Sequence, residues 1–251
     1  MRHLTTIAAL LLAGLACHAA EPATDAKQIV RAAVDHWRGL SSYSEMSMVI
    51  HRPDWERSMT MQAWTKGDKQ SLVRVIEPKK DRGNGTLTDD NNMWTFSPKV
   101  NRVIKIPSSM MGQSWMGSDF SNKDVARADD IVDQYDHTLL GTSEADGITI
   151  FEIRSVPHEE AAVVWGREEL LIREDHVVVE HRFYDQDGEL VKALETLSIE
   201  EMGGRTIASR QRMAKADAPE EWTEIAVNSV EYEIDIRDSV FTLSNLRNPR
   251  D

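Results

Sequence analysis

Residue types able to do chemistry are few in this chain, and methionine is the most suggestive. Met46 and Met48 are two apart, as are Met59 and Met61. In a strand, positions i and i+2 share a face, so two such pairs in neighbouring strands would gather four thioethers. Such a gathering fits three outcomes. Met is a pliable filler of irregular core gaps. It also lines cavities that adapt to flexible acyl chains, and thioethers are soft ligands suited to Cu(I).

Other chemistry finds less support. Of eight histidines, six lie beyond residue 20: His36, His51, His137, His158, His176 and His181. None forms a His-Glu-x-x-His pair or a standard zinc spacing, and the sequence reads them as solvated surface groups, with no metal or cofactor expected. Gly112 to Gly117 (Gly-Gln-Ser-Trp-Met-Gly) has its second glycine one residue late for a nucleophile elbow, and no strand leads into it. Asp185-Gln186-Asp187-Gly188 lacks the ligand spacing of a calcium loop and reads as a turn. Gly83-Asn84-Gly85 has no Lys-Ser/Thr partner for a phosphate loop. The expectation is a protein that is not an enzyme.

The elements that position these residues follow from periodicity. Residues 24–38 carry Ile29, Val30, Ala33, Val34 and Trp37 on one helical face, with Thr24 placed to cap the start and Gly39 to end the helix in a left-handed conformation. The period then becomes two. Ser44–Ile50 and Arg57–Trp64 flank Pro53-Asp54, and a two-residue loop there sets Met48 opposite Met59 and Met46 opposite Met61. Further strands are expected at Ser71–Ile76, Met93–Ser97, Val100–Ile106, Thr138–Leu140, Ile148–Ser155, Val163–Trp165 with Glu169–Arg173, Val177–Tyr184, Leu190–Ile199, Arg205–Met213 and Trp222–Ile234. Short turns link most of them, which favours one antiparallel meander over a βαβ fold. Pro78 to Gly85 reads as a basic loop. Pro107 to Phe120 has no strand period, yet carries too many large apolar groups for disorder. It reads as a cover over something apolar. Ser121 or Asn122 then caps a helical segment running to about Tyr135.

The first twenty residues have the form of a signal peptide: Arg2, an uncharged apolar run from Leu4 to Ala16, and small residues before Glu21. The run is too short to span a bilayer. Cleavage after Ala19 or Ala20 leaves a single domain over 21–251 in the periplasm. Cys17, the only cysteine, offers a lipidation site, but Gly14 stands where the lipoprotein pattern has Leu. The cleaved chain has no thiol and so no disulfide. The formal charge of −13 becomes one unit more negative when Arg2 leaves, which argues against nucleic-acid binding. A monomer is expected.

Three linked segments carry a family resemblance: Met93-Trp94-Thr95-Phe96-Ser97-Pro98, Val100 to Ile106 (Val-Asn-Arg-Val-Ile-Lys-Ile), and Met116 to Asp124 (Met-Gly-Ser-Asp-Phe-Ser-Asn-Lys-Asp). Their order resembles the outer-membrane lipoprotein-sorting protein family, in its larger LolA-like branch. Trp94, Arg102, Gly117, Asp119 and Phe120 are the matching positions, with Asp119 placed to cap the following helix. The resemblance implies a mainly β fold with a few helices: a strongly curved antiparallel sheet, an incomplete barrel, around short inner helices. It also implies an apolar cavity for lipid or lipoprotein acyl chains.

The expected function is therefore a periplasmic carrier. Met46, Met48, Met59, Met61, Trp94, Met110, Met111, Trp115, Met116 and Phe120 are the candidate lining. Lys79, Lys80, Arg82, Lys99, Arg102 and Lys105 are candidates for meeting an anionic head group or an inner-membrane partner, or else a solvated strand edge. The alternatives are an adaptor of an inner-membrane transporter with its interior filled by its own side chains, and methionine-based copper binding.

Overall fold

The first hairpin forms around a two-residue turn. Strand β1 (Ser41–Arg52) pairs with β2 (Trp55–Lys66) around Pro53-Asp54, with Met46 opposite Met61 and Met48 opposite Met59. The expected pairing is the observed one. This computed structural model describes residues 25–127, 129–161 and 163–249. The expected signal peptide, Cys17 and Thr24 lie outside the described residues. Asp25 is the N-cap of helix α1 (Ala26–Arg38), its side chain accepting from the Lys27 amide. Gly39 ends the helix at φ 65°, as expected.

Eleven more strands extend the hairpin. They are β3 (Gln70–Glu77), β4 (Gly85–Asp89), β5 (Asn92–Ser97), β6 (Arg102–Ile106), β7 (Tyr135–Ala145), β8 (Ile148–Pro157), β9 (Arg167–Arg173), β10 (Val178–Tyr184), β11 (Leu190–Met202), β12 (Arg205–Lys215) and β13 (Trp222–Tyr232). All belong to one antiparallel sheet of 13 strands in the order β6-β5-β4-β3-β2-β1-β13-β12-β11-β10-β9-β8-β7. It does not close into a barrel: β6 and β7 are its free edges.

Those two edges are consecutive in the chain, so the segment between them must travel from one side of the sheet to the other. It contains a 3₁₀ turn (Ser108–Met110) and helices α2 (Asn122–Ala126) and α3 (Asp130–Asp133). This crossing segment, residues 107–134, covers one face, called inner below. Met111 and Trp115 from it pack on Met48, Met59, Met61, Val73, Val75 and Met93. At the other end, α1 and α3 pack on Ile153, Leu170 and Ile172. The opposite, outer face is covered between β3 and β6 by residues 234–246, where Ile236, Phe241 and Leu246 (in helix α4, Leu243–Arg247) meet Leu72, Leu87 and Phe96.

Several expectations are corrected. Residues 163–165 are not a strand, and Gly85–Asp89 is one, hidden beside the Gly-Asn-Gly run. The segment from 121 is two short helices, and Tyr135 already opens β7. Ser121 caps α2 in a reciprocal capping box with Asp124. Asp119 does not cap; it is an ion-pair partner of Arg52.

Candidate functional site

Cross-strand register places two neighbouring rows of side chains on the inner face. His181 lies opposite Leu170 and Leu194, Phe183 opposite Glu168 and Lys192, and Thr223 opposite Met213 and Ile50. Glu168, Lys192 and Thr223 are polar positions on this face, and each is nearly or fully buried. A buried charge persists only where it is paired. Each is matched by the crossing segment or its end. The Tyr135 hydroxyl donates to Glu168 Oε1. Lys192 Nζ donates to Asp124 Oδ2. Thr223 Oγ1 donates to Asp119 Oδ2 at 2.7 Å. Asp124 and Asp119 thus bolt the cover to the sheet, while Tyr135 joins the start of β7 to β9.

The cover leaves space. Between α1, the crossing segment and the inner face of β9 to β12 lies a cleft of about 270 Å³. Its walls are largely apolar: Ala33, Val34 and Trp37 from α1, Phe120 and Ile131 from the crossing segment, and Leu170, Phe183, Leu194, Ala208 and Met213 from the sheet. Trp37 remains substantially exposed at its rim. A second cavity, about 430 Å³, lies toward β4 to β6 and mixes Met59, Met110, Trp115 and Met116 with Asn84, Thr86, Gln113 and Arg102.

Polar groups in the cleft are mostly engaged with one another. His181 Nε2 donates to Glu168 Oε2 at 2.6 Å. Burial, reinforced by the Glu168 charge, holds the Tyr135 hydroxyl far above the usual phenol range, so it stays a donor. Lys123 faces Asp130 at 3.5 Å, and burial still lowers its pKa. Burial likewise lowers that of Arg38, against the pull of Asp129 and Asp68. Among the described residues no His/Cys/Asp/Glu group could hold a metal ion.

The candidate residues are distributed as follows. Met46, Met48, Met59, Met61, Met111, Trp115 and Met116 come together in one cluster, and Met48 and Met61 are at 0% exposure. Met59, Met110, Trp115 and Met116 border the second cavity. Phe120 is the one candidate that lines the cleft. Trp94 lies on the outer face with Trp64 and Leu87, because alternation sets it opposite to Met93, and Lys105 sits 5.7 Å over its ring. Lys79, Lys80 and Lys99 are exposed in two turns that meet where Gly83 faces Pro98. Arg82 pairs with Glu77, and Arg102 borders the second cavity.

The histidine reading is corrected: His36 and His181 are half-buried cleft residues, and His36 Nε2 is 2.7 Å from the Thr206 carbonyl. Glu168, Lys192, Arg38 and Arg127 were missed as site residues. For the first two a signal existed, a charge at an inward position of an apolar alternation, but it needs the register to be read.

Comparison with known proteins places this architecture. Residues 67–248 match the model of a family described as an uncharacterized protein. The chain belongs to that family, and its fold is LolA-like. A DUF1329 family protein from Desulfovibrio piger superposes with a TM-score of 0.78 at 26% identity, over 89% of this chain and 100% of that one. A putative outer membrane lipoprotein-sorting protein domain from Vibrio parahaemolyticus gives 0.78 at 17% identity, over 89% and 98%. A LolA superfamily protein from Nitrosomonas europaea gives 0.73 at 22% identity, over 88% and 99%. No curated protein matches the sequence. The incomplete barrel is thus shared by LolA-like chains of low identity to this one.

Proposed function

We propose that this LolA-like protein is an exported, non-enzymatic carrier that holds the hydrocarbon chain of a lipid or lipoprotein in the cleft beneath α1. The reading is carried by one observation: a largely apolar cleft persists between the sheet, its cover and α1. Hydrocarbon entering it leaves water, at about 0.8 kcal/mol per methylene. The likeness in fold to a lipoprotein-sorting domain and the signal-peptide pattern of the first twenty residues support the same reading.

The test is native mass spectrometry of protein recovered from a bacterial envelope, beside an Ala208→Trp variant. Ala208 is a small residue on the cleft wall, and an indole there fills the space. The wild type is expected to carry an extractable amphiphile and the variant none. Wild-type protein that is repeatedly empty would instead favour the transporter-adaptor role.

A further inference from the structure

The cleft lining holds both engaged carboxylates and guanidinium groups with unused donors. Its three carboxylates that hold fixed partners are spoken for: Glu168 by Tyr135 and His181, Asp124 by Lys192 and the Ser121 amide, Asp130 by Lys123. Two guanidinium groups of the lining are different. Arg38 donates from Nη2 to the Gly67 carbonyl at 2.9 Å, and Arg127 from Nη2 to the Asn91 carbonyl at 3.2 Å. The Nε of each is buried and has no acceptor. Asp68 and Asp129 attract Arg38 through space, but neither accepts from that Nε.

Buried donors without acceptors are costly and uncommon in folded proteins. Arg74 and Arg212 share the feature, but they lie outside the cleft and stack on Trp64 and Trp222 at 5.9 and 4.3 Å. Arg38 and Arg127 instead flank an apolar space, each already held in orientation by a turn carbonyl. Guanidinium groups fixed in this way suit planar or tetrahedral oxyanions.

We propose that the cleft takes an anionic amphiphile, whose carboxylate or phosphate head is bound by Arg38 and Arg127 while its chain lies along Leu170, Phe183 and Ala208. The assignment rests on the carrier reading and adds the class of head group.

Calorimetric titration of the wild type with dodecyl phosphate, dodecanoate and neutral 1-monododecanoylglycerol tests it. Both anions are expected to bind about tenfold more tightly than the neutral probe, the scale of one hydrogen bond to a charged group. Arg38→Gln and Arg127→Gln should each remove most of that preference, and far-ultraviolet circular dichroism identical to that of the wild type reports that the variants are folded. Tighter dodecyl phosphate would point to a phospholipid head, and tighter dodecanoate to a free fatty acid. Equal binding of all three by the wild type overturns the head-group assignment and leaves the acyl cleft standing. No binding of any probe overturns both.

Discussion

Arg52 and Asp119, 67 residues apart, form a two-pronged ion pair, Nη2 to Oδ1 at 2.9 Å and Nη1 to Oδ2 at 3.1 Å. The Asp119 carboxylate is 1% exposed. Its backbone amide donates to Thr223 Oγ1 at 3.0 Å, while the Thr223 hydroxyl donates back to Oδ2. This knot ties the crossing segment to the end of β1 and to β13. Removing the arginine leaves a buried carboxylate without its counter-charge, so Arg52→Ala should destabilise by about 3–5 kcal/mol. Thr223→Val should cost about 1–3 kcal/mol. Chemical denaturation of both variants checks the order.

Lys192 is the second bolt. Its ammonium lies 5.3 Å from the Trp165 ring centre and 4.8 Å from that of Phe183, and it donates to Asp124. Lys192→Ala should loosen α2 and lower stability by about 3 kcal/mol, since Asp124 would stay largely buried with only the Ser121 amide. Lys192→Met with Asp124→Asn should recover most of that loss. Hydrogen exchange at residues 121–127 should quicken in the single variant and slow again in the double one.

The methionine cluster separates packing from chemistry. Met61 is fully enclosed, so Met61→Ala should cost about 2–5 kcal/mol, whereas Met61→Leu conserves volume and should cost less than about 1.5 kcal/mol. A Leu replacement of all four hairpin methionines that leaves Cu(I) uptake unchanged in a titration would remove the copper alternative.

His137 gives a pH dependence. Burial lowers its pKa from the ordinary 6.5, its Nδ1 lies 2.8 Å from Ser155 Oγ, and its Nε2 has no partner. The unfolded chain therefore binds the proton more readily than the folded one. The stability this group supplies is present above pH 6.5 and is lost as pH falls from there through the lower folded value. The melting temperature of His137→Gln should fall less than that of the wild type between pH 7 and pH 5.

How much of this was legible before the fold depended on range. Met48 faces Met59 because a two-residue loop fixes that pairing locally, and the sequence states both the loop and the alternation. Trp115 over Thr86, with its indole N–H donating at 3.0 Å, was foreseen only as a large apolar group in a covering loop. Nothing local says which strands the cover crosses. Trp94 shows the limit from the other side: the alternation around Met93 was plain, but which face would be the interior follows from where residues 107–134 travel. Glu168 and Lys192 read as ordinary surface charges until β9 to β11 are aligned and both turn inward. Arg38 ends α1 and Arg127 follows α2, and the two reach one cleft only in the folded chain.

Chain length is the variable that reaches the cleft most directly. A saturated fatty-acid series from eight to fourteen carbons, titrated into the wild type and into Ala208→Trp, reads out burial of each methylene. At about 0.8 kcal/mol per CH₂, affinity should tighten roughly fourfold per added carbon until the cleft is filled, and the Trp variant should lose the trend. A wild-type series that is flat with length, or unaltered by Ala208→Trp, would contradict hydrocarbon binding in the space beneath α1.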